Sequence, residues 1–202
     1  MNRILIINNY DSFVYNIFHL VKRNTFSQLD IMLNDRIEFN SLKDYSHIIL
    51  SPGPGLPHEA GDLLRVIEIC KNTHSILGIC LGHQAIACHL GAKLLQLKQP
   101  MHGHRSELII TDPMDPMVGH LCMSRDMQKK IHIGLYNSWV VDPGTMPGEL
   151  KAGSVNENGI MMSLYHKSLN LYGLQFHPES VMSDLGDKII SNWLSFKPGS
   201  NF

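Results

Sequence analysis

The sequence predicts an α/β fold: one domain over residues 1–202, built on an open, twisted, mostly parallel sheet with flanking helices and an antiparallel extension. Three observations predict it. Up to Gly91, short continuous apolar runs alternate with stretches of helical period, the pattern of right-handed β-α-β crossovers. After Gly91 the helical period gives way to short strand-like runs separated by turns, which reads as antiparallel pairing. The length of 202 residues fits a single core that needs no disulfide staples.

The first strand is Ile4 to Ile7, a continuous apolar run of the kind buried on both faces of a sheet. Asn8-Asn9-Tyr10 turns the chain, and Asp11 or Ser12 can cap a helix. Phe13, Ile17, Leu20 and Val21 then fall on one helical stripe. Leu29 to Leu33 and Ile48 to Leu50 read as the second and third strands. Ser51-Pro52-Gly53-Pro54-Gly55 can be neither helix nor central strand, so it is a stiff loop at a strand's carboxyl end. A helix over Asp62 to Lys71 and a strand over Ser75 to Ile79 follow. A third helix then runs from Cys80 to about Leu90. Beyond it, strand-like runs lie at Leu94–Leu97, Leu108–Thr111, Ile131–Leu135, Ile160–Tyr165 and Leu171–Phe176. A last helix spans Asp184 to Phe196.

Composition removes several function classes. Lys and Arg number 17 against 18 Asp and Glu, a net charge of −1, so nothing favours a nucleic-acid or anionic-membrane partner. No apolar run approaches the ~20 residues of a membrane span, and the start is too short for a signal peptide. Cysteines at 70, 80, 88 and 122 form no CxxC pair and suit a reduced, cytoplasmic setting. The histidines, His102-Gly103-His104 included, show no metal-ligand spacing.

Gly78-Ile79-Cys80-Leu81-Gly82-His83-Gln84 carries the chemistry. A strand ends, one nucleophile-capable residue sits at the bend, and a helix begins. Glycines on both sides relieve crowding at this sharp elbow. The helix start offers free backbone N–H groups to a developing anion. A thiol nucleophile wants a base, and the base wants an orienting group. Phe176-His177-Pro178-Glu179 supplies both: His177 ends an apolar run, and Glu179, two residues on, can reach the same side and fix the imidazole tautomer. Cys70, Cys88 and Cys122 lack a glycine elbow and read as structural. The Pro-Gly-Pro-Gly loop offers backbone that a ligand can approach closely. It lacks the Lys-Ser/Thr of a phosphate loop.

These residues together resemble the class I, triad-type glutamine amidotransferases over nearly the whole chain. Asn9-Tyr10-Asp11-Ser12-Phe13 and Met101-His102-Gly103 look like one branch, the small glutaminase subunits of anthranilate synthase and aminodeoxychorismate synthase. The resemblance implies a Cys80, His177, Glu179 triad and an oxyanion hole from the backbone of Gly53 and Leu81. It implies glutamine binding at Gly53, Pro54, Gly55, Gln84, Ser138 and Trp139. It also implies L-glutamine as substrate and, as partner, a larger chorismate-binding synthase subunit, in a heterodimer or heterotetramer. No cofactor is implied in this chain; Mg²⁺ would sit on the partner. Two motifs depart from the branch. Tyr136-Asn137-Ser138-Trp139 stands for Tyr-His-Ser-Leu, and Met101-His102-Gly103-His104-Arg105-Ser106 for Met-His-Gly-Lys-Thr-Ser. The triad alone leaves open the glutaminase subunit of another synthetase (GMP, CTP or carbamoyl phosphate type) or a non-catalytic glutamine-binding regulator.

Overall fold

The computed structural model describes residues 3–123 and 130–196. Its first half follows the predicted alternation: β1 (Arg3–Asn8), α1 (Val14–Asn24), β2 (Gln28–Leu33), β3 (His47–Leu50), α2 (Leu63–Cys70), β4 (Ser75–Ile79) and α3 (Leu81–His89). The second half holds β5 (Leu94–Ile110), β6 (Ile131–Val141), β7 (Leu150–Asn156), β8 (Met161–His166), β9 (Leu171–Leu174) and α4 (Gly186–Leu194). Among the described residues these strands make one nine-stranded sheet, ordered β2-β1-β3-β4-β9-β8-β7-β5-β6. The five from β2 to β9 are mutually parallel, and the pairs from β9 to β6 are antiparallel.

Alternation along β1 explains the two layers of helices. Ile4 and Ile6 join Ile17 and Val21 of α1 and Ile189 and Trp193 of α4 in one core. Leu5 and Ile7 face the other way, into a core with Leu63, Val66 and Ile67 of α2 and Ala85 and Ile86 of α3. A strand covered on both faces must be apolar throughout, which is why it reads as a continuous run. Among the described residues, no helix is long and apolar enough to cross a membrane.

The structure corrects four local expectations. The runs predicted at Leu94–Leu97 and Leu108–Thr111 are the two ends of a single seventeen-residue strand, β5. Its middle is polar because most of residues 98–105 face solvent, and of these Met101, His102, His104 and Arg105 pair with β6. β7 has no counterpart among the predicted strands: its buried residues include Gly153 and Ser154, which give no apolar signal. β9 is not part of the antiparallel half alone, since it pairs parallel with β4 and antiparallel with β8. Finally, Phe13 precedes α1, and the helical stripe is Val14, Ile17, Leu20 and Val21. Asp11 accepts from the Phe13 N–H at 2.7 Å, just before the helix.

Candidate active site

The site gathers at the carboxyl ends of β1, β3, β4 and β9. Cys80 sits between β4 and α3 with φ 51° and ψ −102°, a left-handed conformation for a residue with a Cβ. Such a backbone costs roughly 1–3 kcal/mol and persists only where its surroundings enforce it. The enforcement is visible. The Cys80 N–H donates to Leu174 O of β9 at 2.8 Å, and Cys80 O accepts from the Gln84 N–H at 3.1 Å. The flanking glycines allow the bend to close: a Cβ at Gly82 would strike the Leu50 carbonyl, and one at Gly78 the Gly82 carbonyl.

His177 follows β9. Its N–H donates to Gly134 O of β6 at 3.0 Å, a bridge that folds the far edge of the sheet back over the site. The loop after it is stitched to the same strand: Ser183 Oγ accepts from the Gly134 N–H at 2.9 Å, and Tyr136 Oη and Ser180 Oγ lie 3.0 Å apart. His177 Nδ1 and Glu179 Oε1 are 2.7 Å apart, and neither side chain is more than 2% exposed. This contact leaves Nε2 as the remaining ring nitrogen; it is buried and lacks a hydrogen-bond partner among the described residues. Burial pushes the imidazole pKa down. The neighbouring Cys80 and the Glu179 carboxylate outweigh that and carry it up to about 10. The Phe13 and Tyr136 rings wall the imidazole at centroid distances of 5.6 and 4.9 Å. Sequence reasoning places Phe13 on the helix stripe and misses this role. Its place in the Asn-Tyr-Asp-Ser-Phe motif is the signal that could have shown it.

The Pro-Gly loop is rooted by amides. Asn9 N–H donates to Ser51 Oγ at 2.9 Å, Asn9 Nδ2 to Ser51 O at 2.7 Å, and Asn34 Nδ2 to Asn9 Oδ1 at 3.1 Å. Gly53 is pressed between Asn9 and Leu81, which brings the loop backbone against the start of α3. Pro54 and Gly55 are exposed beyond it, with Gly55 at φ 74°. On the opposite wall, Gln84 Nε2 donates to Trp139 O of β6 at 2.8 Å. The β5–β6 register breaks between Gln96–Trp139 and Met101–Asn137, so Ser138 has no partner on β5 in that ladder. A break of this kind leaves backbone groups available to a ligand. Asn137 is buried; its Nδ2 donates to Trp139 O at 3.0 Å, while its Oδ1 lacks a partner among the described residues.

A buried residue absent from the expected site is Gln175. Its Nε2 donates to Cys80 Sγ at 3.7 Å and its Oε1 accepts from Gln84 Nε2 at 3.2 Å. By contrast His83, beside Gln84 in sequence, packs against Gly173 of β9, and burial lowers its pKa to about 4. Cys70 is buried on α2, its thiol pushed up to about 11 by burial, and burial raises Cys88 as well. The Cys122 side chain lies outside the described residues. Among the described residues no cluster of His, Cys, Asp or Glu could hold a metal ion.

The family model described as glutamine amidotransferase class-I matches residues 5–195. Anthranilate synthase component 2 of Saccharolobus solfataricus is 38% identical over 200 residues, covering 96% of this chain and 99% of its own length. Aminodeoxychorismate synthase component 2 of Klebsiella aerogenes is 34% identical over 201 residues, covering 95% and 99%. A crystal structure from Thermoplasma acidophilum, attributed to a GMP synthase, superimposes with a TM-score of 0.80 at 22% identity, covering 96% of this chain and 92% of that one. At that identity the likeness bears on the fold alone.

Proposed function

Because the chain belongs to the class I glutamine amidotransferase family, we propose that it hydrolyses L-glutamine and hands the ammonia to a chorismate-binding synthase subunit. The product is anthranilate or 4-amino-4-deoxychorismate. The observation that carries the chemistry is the buried His177–Glu179 pair, 2.7 Å apart, whose remaining nitrogen belongs to an imidazole that Cys80 also perturbs.

His177 Nε2 takes the Cys80 thiol proton, and the sulfur attacks the side-chain amide carbon of glutamine. The oxyanion that forms is held by the backbone N–H groups of Gly53 and Leu81, each such donor being worth ~3 kcal/mol of barrier. His177 returns the proton to the departing nitrogen, so ammonia leaves and a γ-glutamyl thioester remains on Cys80. Water, deprotonated by His177, attacks the thioester and releases glutamate. Glu179 holds the imidazole through Nδ1 and stabilises its charged form. Gly53, Pro54, Gly55, the Gln84 side chain and the backbone of Ser138 and Trp139 hold the free amino acid. Chorismate and Mg²⁺ are assigned to the partner.

The test mixes the chain with glutamine, chorismate, Mg²⁺ and each chorismate-using synthase of its host, and identifies the aminated product. Anthranilate, aminodeoxychorismate or both fixes the pathway. In the same assay Cys80→Ala loses glutamine-dependent synthesis and keeps synthesis from an ammonium salt. Glutamine-dependent turnover surviving in Cys80→Ala removes Cys80 from its role. Neither product, with Cys80 still trapped by a glutamine-analogue electrophile, removes the branch and leaves the glutaminase.

A further inference from the structure

Gln175 is wholly buried, and its backbone N–H is taken by Met162 O of β8 at 2.9 Å. Its side-chain amide serves no backbone group in this network. The direction of that amide is dictated from a distance. The Trp139 carbonyl can only accept, and it receives Gln84 Nε2 at 2.8 Å and Asn137 Nδ2 at 3.0 Å. Gln84 therefore turns its NH₂ into the pocket wall, towards both Trp139 and Gln175. Gln175 must answer with its oxygen, at 3.2 Å, which aims its own NH₂ at the Cys80 sulfur, at 3.7 Å. A backbone carbonyl on β6 thus fixes a hydrogen-bond donor on the nucleophile through two buried amides.

We propose that Gln175 is a catalytic residue of this reaction, donating a hydrogen bond to the Cys80 thiolate. This rests on the reading of Cys80 as nucleophile. The thiol proton passes to His177 Nε2, and the sulfur lone pair left behind accepts the Gln175 N–H. The hydrogen bond is surrendered as the C–S bond forms and restored when water releases glutamate. A donor to a charged acceptor raises the thiolate fraction but makes each thiolate a weaker nucleophile. His177 and, behind it, Glu179 are the groups coupled to this sulfur among the described residues, and both are intact in the variants below.

The test is the rate of iodoacetamide alkylation of Cys80 against pH in the full chain, with the adduct located by peptide mass spectrometry. Gln175→Met keeps the length of the side chain and removes the donor. Its profile is expected to move up by about one pH unit, with the rate below the midpoint falling about threefold and the plateau above it rising about threefold. A side chain that only filled space would not give opposite changes on the two limbs. If Met is not tolerated at this buried position, Gln175→Glu has the same shape with an oxygen in place of the donor, and a larger upward movement is expected. An unmoved profile in whichever variant folds overturns the proposal. Failure of a glutamine-analogue electrophile to label Cys80 in the unaltered protein would instead overturn the nucleophile itself.

Discussion

Gly53→Ala separates close approach from mere loop flexibility. A Cβ built on Gly53 stands 2.5 Å from Asn9 Cβ, 2.6 Å from Asn9 O and 2.9 Å from Leu81 Cδ2. Real Cβ atoms essentially never come within 3.0 Å of such neighbours, so the backbone must part by about 0.5 Å. Asn9 cannot give: its N–H and both side-chain termini are committed to Ser51 and Asn34. The Pro-Gly loop therefore moves and takes the Gly53 N–H with it. Overpacking of this kind costs about 1–3 kcal/mol of stability. A half-ångström error in the proposed oxyanion donor lies below the ~100-fold loss of a full ångström, which puts the fall in glutamine turnover at about 10-fold. The assay is glutaminase kcat in the partner complex beside a thermal melt. Gly148→Ala is the control, since nothing lies within 4 Å of a Cβ there. Unchanged turnover and melting in Gly53→Ala would refute the argument from space.

Glu179→Gln is expected to lower kcat by about 10²–10⁴-fold with little change in KM, since it removes a charge felt through His177; steady-state kinetics with glutamine check it. The His177 pKa is raised from 6.5 to about 10, so its contribution to stability is complete below pH 6.5 and is lost as pH rises through 10. The melting temperature should therefore fall across that window more steeply in the unaltered protein than in His177→Gln, and equal slopes would contradict this. Phe13→Ala removes one of the two rings against His177. It is expected to reduce kcat by about 10-fold through a misplaced imidazole, and rescue by Phe13→Tyr but not Phe13→Leu would show that a ring is required.

The parallel half of the fold is legible because burial on both faces leaves an unbroken apolar run, as in Ile4–Ile7 and Ile48–Leu50. The elbow is legible because backbone crowding admits only glycine at positions 78 and 82. What stays hidden is whatever depends on distant partners. β7 is buried through small residues: a Cβ on Gly153 would strike the Asp115 carboxylate, and Ser154 and Ser163 hydroxyls meet at 2.7 Å. The middle of β5 is a solvent-facing ribbon whose strand character comes from β6. Gln175 reads as a polar residue at a strand end until Trp139, more than thirty positions away in sequence, shows which way its amide must face.

β9 occupies the centre of the sheet although it comes late in the chain, between β4 on one side and β8 on the other. Its Leu174 carbonyl receives the Cys80 N–H, and His177 and Glu179 follow it directly. During synthesis, β1 to β4 and their helices can pair long before residues 171–179 leave the ribosome. Through that interval the nascent chain carries Cys80 without its imidazole, its carboxylate or the strand that closes the elbow. If the proposed triad acts as described, glutaminase activity waits for residues 171–179, and a chain cut short before β9 carries the thiol without the imidazole that would activate it.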